Sequence, residues 1–153
     1  MKKYKKIVND LIRKSFPILR GKKIYISYLF ISKKYSGGAV WILPFWRVLF
    51  VNKKRKFTKK QLIGLFAHEL GHFELFQKRG WFGFLFVLLF YWTSSKFRKK
   101  EEERVNKLII KRGYAREYYD LEKKFYNNKL KSSKFYLSSE EIKSYAQKIG
   151  KWQ

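Results

Sequence analysis

The chain's only two histidines stand four residues apart, in His68-Glu69-Leu70-Gly71-His72, on a segment whose periodicity dictates a helix. Leu62, Leu65, Phe66, Leu70, Phe73 and Phe76 recur at three- and four-residue intervals, which gathers apolar side chains on one helical face. Thr58 followed by Gln61 forms a capping box, so the helix is predicted from about 58 to 78. Both imidazoles then lie on one side of it, with Cβ atoms about 5–6 Å apart. Two nitrogens so placed can reach one Zn2+ at roughly 2.0–2.1 Å. Glu69 is angled beside such an ion, where a carboxylate serves as general base and not as ligand.

A catalytic zinc ordinarily takes about three protein ligands. With no cysteine and no further histidine in the chain, the third must be a carboxylate. Carboxylates are scarce, 11 against 37 Lys+Arg for a net charge of +26, so their positions are informative. Glu74 follows His72 by two residues and projects from another face of the same helix. The cluster Glu101-Glu102-Glu103 is better placed, since it opens the next long helical stretch after a connection long enough to return. Any of the three qualifies on position alone.

The remaining segments predict a single α+β domain over residues 1–153, with a small, mostly antiparallel three-stranded sheet. Ile24 to Ile31 is β-branched and aromatic and reads as a buried strand. Ala39 to Leu43, after the Ser36-Gly37-Gly38 turn, reads as a second strand that Pro44 ends or marks as an edge; Trp46 to Val51 is a third. A short amphipathic helix precedes Pro17. Asp10 and Arg13 interrupt its apolar residues, so no cleavable signal peptide is expected. The expected location is cytoplasmic, peripheral or monotopic on a membrane. Toward the C-terminus, helix runs from about Glu101 to Arg112, breaks at Gly113 and resumes to Tyr126. After the Asn127-Asn128 loop, a capping box at Ser138 and Glu141 opens a last helix within a basic tail that begins near residue 129.

Between the two ligand-bearing stretches lies Trp81 to Trp92, uncharged and almost wholly large and apolar. As a helix it would rise about 18 Å, against a hydrocarbon core of about 30 Å, so it should not span a bilayer alone. One reading is a buried core helix. The other is shallow insertion into an anionic membrane surface through residues 78–100, because Lys78-Arg79 and Lys96-Arg98-Lys99-Lys100 flank it and Trp and Tyr stand at its ends.

The helix from Thr58 to His72, with Glu102-Glu103-Arg104-Val105-Asn106 and Lys111-Arg112-Gly113-Tyr114 after it, resembles the gluzincin zinc metallopeptidases, in particular the minigluzincins and the HtpX-like and prenyl-protein-protease-like family. Asn106, where those families usually carry Asp, is also similar to the IrrE-type proteases. The resemblance implies a zincin-like fold and one Zn2+ held by His68, His72 and Glu102. It also implies Val105 at a position reserved for a small residue and Asn106 hydrogen-bonded behind a ligand imidazole. The activity implied is hydrolysis of peptide bonds in a peptide or protein substrate, with Glu69 assisting attack of a zinc-bound water. Substrate would extend along the edge strand at Val40, Trp41 and Ile42. Tyr114, with Tyr118 and Arg116, is a candidate transition-state stabiliser by nearness to Glu102 in sequence.

The excess of Lys and Arg is spread over nearly every segment and so defines no basic arm. It leaves a competing expectation, a basic nucleic-acid- or membrane-binding protein with a structural or vestigial metal site. No nucleic-acid-binding motif accompanies the charge.

Overall fold

A computed structural model describes residues 1–29, 36–42, 46–125 and 135–152. The order of elements is α1 (Lys2–Ser15), a short 3-10 turn (Pro17–Leu19), β1 (Ile24–Leu29), β2 (Gly37–Ile42), β3 (Trp46–Asn52), α2 (Lys59–Thr93), α3 (Ser95–Lys111), α4 (Ala115–Phe125) and α5 (Ser139–Lys148). The fold is mixed α+β, five helices and a three-stranded sheet among the described residues. Phe30, Ile31, Leu43, Pro44 and the Asn127-Asn128 loop lie outside them.

The sheet is not mostly antiparallel. Its order is β1-β3-β2, with β2 antiparallel to β3 and β1 parallel to β3. Neighbours in sequence pair only at the β2–β3 hairpin, where Val40 faces Val48. β1 pairs with the later of the two strands, Ile26 beside Leu49. β3 takes the centre because its alternate residues Leu49 and Val51 are fully buried against the helices. β1, expected to be buried, is an edge strand: Ile26 is buried but Tyr25 is 49% exposed. A β-branched and aromatic run favours a strand without saying whether both of its faces are covered.

α2 organises the molecule. Its N-terminus is closed by the expected reciprocal cap, Gln61 N–H to Thr58 Oγ1 at 3.2 Å and Thr58 N–H to Gln61 Oε1 at 3.0 Å. Its apolar stripe forms the core with α1, the sheet, α4 and α5, and Phe66, Leu70 and Phe73 are fully buried. At Gly80 the backbone takes φ 70°, and the helical segment that follows sets off in a new direction. The left-handed region costs glycine no Cβ clash, which is why the break falls there. Arg79 fixes the turn by gripping Glu101 of α3 with both guanidinium nitrogens.

The segment after Gly80 is neither a buried core helix nor a spanning one. Phe84 and Val87 are buried, whereas Phe82 and Leu89 are exposed. No described helix is long and apolar enough to cross a membrane. α3 begins six residues before the expected Glu101, because Ser94 caps it by accepting from Phe97 N–H at 3.2 Å. Of the basic tail expected from about 129, residues 135–152 are described and pack on the domain: α5 buries Ile142 and Ala146, and Trp152 meets Tyr119 edge-on at 5.2 Å.

Candidate metal centre

The four-residue spacing of His68 and His72 on α2 turns both rings to the side where α3 crosses. α3 comes close because Gly71 presents no side chain: a Cβ there would lie 3.0 Å from Val105 Cγ1 and 3.3 Å from Ile109 Cγ2. Val105 and Ile109 are three and seven residues after Glu102, on the same helical face. Their seating at Gly71 therefore delivers Glu102 to the histidines.

The choice among the three successive glutamates is made by their partners. Glu101 is buried and bound by Arg79 and Arg104. Glu103 pairs with Lys107 at its half-exposed position. Glu102, as buried as Glu101, is the one of the three that meets the histidines. Its Oε2 lies 3.2 Å from His68 Nε2 and 3.5 Å from His72 Nε2, and the two nitrogens are 3.2 Å apart.

Those three distances fit a metal ion. Ligand atoms of a tetrahedral zinc at about 2.0–2.1 Å are separated by about 3.3 Å, and the observed triangle has edges within 0.2 Å of that. Glu102 Oε2 is buried yet makes no hydrogen bond among the described residues, and a buried acceptor left without a partner is disfavoured unless a cation or donor meets it. His68, His72 and Glu102 are a buried group able to hold a metal ion.

The other oxygen of Glu102 is occupied. Tyr91, from the segment after Gly80, donates its hydroxyl to Oε1, so Oε2 is the atom left facing the nitrogens. Burial raises the Tyr91 phenol far above its ordinary range, and the Glu102 charge raises it further, so it remains a donor. Burial would also push the Glu102 carboxyl up, but the charge of His72, then the polar contacts with the His68 and His72 imidazoles, and last the charge of His68 outweigh it, and Glu102 is held well below the usual carboxylate range. His72 is the counterpart: burial lowers its imidazole, the Glu102 carboxylate raises it, and the net shift is upward.

Glu69 is buried beside the histidines, and its pKa is raised, first by burial and also by Glu102, against the lowering pull of His68 and His72. A carboxylate so placed is a stronger base than one in water. It lines, with His68, His72, Glu102 and Tyr91, a cavity of about 280 Å³. One wall is β2 from Gly37 to Trp41, whose far edge pairs with no strand among the described residues. Val40, Trp41 and Ile42 thus lie on an edge strand. Val40 and Trp41 line the cavity, and Trp41 also packs against Phe84 with centroids 4.9 Å apart.

Two expected neighbours are placed differently. Asn106 is fully buried one turn after Glu102, but neither atom of its amide has a hydrogen-bond partner among the described residues, so the bond to a ligand imidazole is not formed. Tyr114 is held away from the cavity: its hydroxyl is 2.6 Å from Ser15 Oγ and its ring stacks on Phe16. The Gly113 break turns that ring toward α1. Of Tyr114, Arg116 and Tyr118, only Tyr118, on α4, reaches the site, stacked on His68 with centroids 5.2 Å apart and planes 9° from parallel. Arg116 instead lies over Trp152. Tyr91 was legible only as an interfacial aromatic, although it is the sole hydroxyl in the run from Trp81 to Trp92. Glu122, buried beyond Tyr118, also joins the wall behind His68 and Glu69.

Comparison of the chain with models of protein families, with curated proteins and with solved structures finds no match.

Proposed function

We propose that the protein is a zinc-dependent peptidase of the gluzincin type. The observation that carries this reading is the convergence of His68 Nε2, His72 Nε2 and Glu102 Oε2 on one buried point, with Glu69 beside it and an open strand edge along the same cavity. Two imidazoles and one carboxylate suit zinc, which when bound supplies Lewis acidity toward a carbonyl and an acidified water. The resemblance of residues 58–72 and 102–114 to the gluzincins supports the same assignment.

The chain's own residues account for the rest of the chemistry. The outer edge of β2 pairs with no strand among the described residues, so an extended peptide can add to the sheet as a fourth strand and be held by main-chain hydrogen bonds. Glu69 takes the proton from the attacking water and returns it to the leaving amine, the task its raised pKa and position suit. Tyr91 keeps Glu102 turned toward the histidines. Trp41, Phe76 and Phe84 exclude water from one side of the cavity and favour an apolar side chain next to the scissile bond.

Metal content and peptide cleavage measured together test the reading. One zinc per chain is expected in the wild type; it is lost in His72→Ala and kept in Glu69→Ala, with cleavage abolished in both. Zinc content unchanged by His72→Ala would refute the assignment.

A further inference from the structure

The helical segment between Gly80 and Ser94 is apolar around its whole circumference, but only part of that circumference is covered. Phe84 and Val87 face the cavity and the sheet. On the opposite arc Phe82 is 85% exposed, Leu89 61% and Phe86 57%, and Trp92 beside them is 75% exposed. A helix apolar on every side belongs in a setting where every side is buried, and a contiguous exposed apolar patch marks a contact surface. The charge around the patch identifies the contact. From residue 75 to residue 100 there is no Asp or Glu, while Lys96, Lys99 and Lys100 stand exposed at the start of α3. A second copy of the chain would bring the same lysines and a net charge of +26 to that place, so self-association is opposed by like charge. An anionic lipid surface satisfies both halves of the patch, since aromatic and aliphatic side chains enter the headgroup–acyl boundary while lysines meet lipid phosphates. Because no described helix is both long and apolar enough to cross, contact is made by a helix lying in the plane of the interface.

We propose that the outer face of residues 81–93, with Lys96, Lys99 and Lys100, seats the protein on an anionic membrane surface, and that polypeptides held at that surface are its substrates. The second clause rests on the peptidase reading; the first does not. The two are linked by Leu88 and Trp92, which are exposed with the outer face and also line the cavity. The cavity therefore opens where the lipid contact ends, and a polypeptide anchored in the same leaflet reaches β2 without leaving the interface.

Flotation of the full chain with vesicles of phosphatidylcholine alone, or with phosphatidylglycerol added, tests the seating. Wild type is expected to float with the anionic vesicles. The double variant Phe86→Ser/Leu89→Ser should bind them at least about tenfold more weakly, with unchanged zinc content and melting temperature. The triple variant Lys96→Gln/Lys99→Gln/Lys100→Gln should lose the preference for phosphatidylglycerol. No flotation, or flotation equally strong in the double variant, overturns the proposal, the latter meaning adsorption by charge alone. So does a dimer in sedimentation that the double variant dissolves, which would give the face to a second copy. For the substrate clause, one peptide is offered free and tethered to the vesicles. Faster cleavage of the tethered form by wild type, lost in the double variant while cleavage of the free form persists, is the expected result. Cleavage of neither form, with flotation intact, would refute the peptidase reading and the substrate clause while leaving the membrane seat in place.

Discussion

Replacing Tyr91 by Phe removes one hydroxyl and leaves the ring, so it tests whether the second oxygen of Glu102 must be held for the first to bind metal. Tyr91 donates to Oε1, and Oε2 is thereby the atom set 3.2 and 3.5 Å from the two imidazole nitrogens. The lost bond has a charged acceptor, which places its net contribution at about 1.5–3 kcal/mol, much of it the penalty of leaving a buried carboxylate oxygen unsatisfied. That penalty falls on the metal-free and the loaded protein alike and is read as a loss of folding stability. What separates the two states is orientation, since without the hydroxyl the carboxylate can turn about its last torsion away from the nitrogens. Outer-shell partners of metal ligands typically contribute about 10–100-fold in affinity. Competition against a chromophoric chelator at fixed pH should therefore show Tyr91→Phe binding zinc about 10–100-fold more weakly, with one site retained. The ring's contact with the Arg98 guanidinium, 4.9 Å from its centroid, survives the substitution and keeps the segment in place. An affinity within about twofold of wild type would refute the positioning argument. A complete loss of binding would also refute it, because the ligands themselves are untouched.

Two further substitutions probe the scaffold behind the site. A Cβ at Gly64 would sit 2.5 Å from the Glu117 carbonyl oxygen, so Gly64→Ala must push α4 back by roughly 1 Å. Overpacking of that kind costs about 1–3 kcal/mol, or a fall of about 2–12 °C in melting temperature. It should also weaken zinc binding, because Tyr118 on α4 backs His68; an unchanged melting temperature would contradict the close packing. Glu122 is raised well above the usual carboxylate range by burial and by Glu102, despite the Tyr118 hydrogen bond that lowers it. A raised folded-state pKa means that the native protein binds the extra proton, so its stabilising contribution is complete below about pH 4 and declines as pH rises toward the folded value. Glu122→Gln escapes that decline. Its stability relative to wild type should grow with pH above about 4, by up to about 1.4 kcal/mol per unit, as read from urea midpoints; a pH-independent difference would disprove the assignment.

What could be read from the sequence divides along one physical line, the distance over which the determining contacts act. The caps at Thr58 and Ser138 and the pairing of His68 with His72 depend on residues three or four apart, so the sequence states them outright. Strand order does not work that way. A hairpin between β2 and β3 is local, whereas the parallel seating of β1 on β3 is decided by which strand buries Leu49 and Val51 under the helices. The third member of the candidate site stood between these limits. Its neighbourhood followed from the scarcity of carboxylates, but the choice of Glu102 required Arg79 from beyond the α2 apolar stripe to claim Glu101. Tyr91 was illegible for the same reason. Lys96 to Lys100 look like a basic connection, yet the Ser94 cap makes them the first turns of α3, and that stretch of chain sets the alignment of the helical hairpin. Arg98, a turn past the cap, lies over the Tyr91 ring, and Glu102, one turn further, is where the hydroxyl ends. Delaying α3 to Glu101 would turn residues 96–100 into a loop, move Glu102 to the helix end and separate it from both Tyr91 and the Gly71 seat. A serine between two helices thus determines whether the candidate metal site gains its carboxylate.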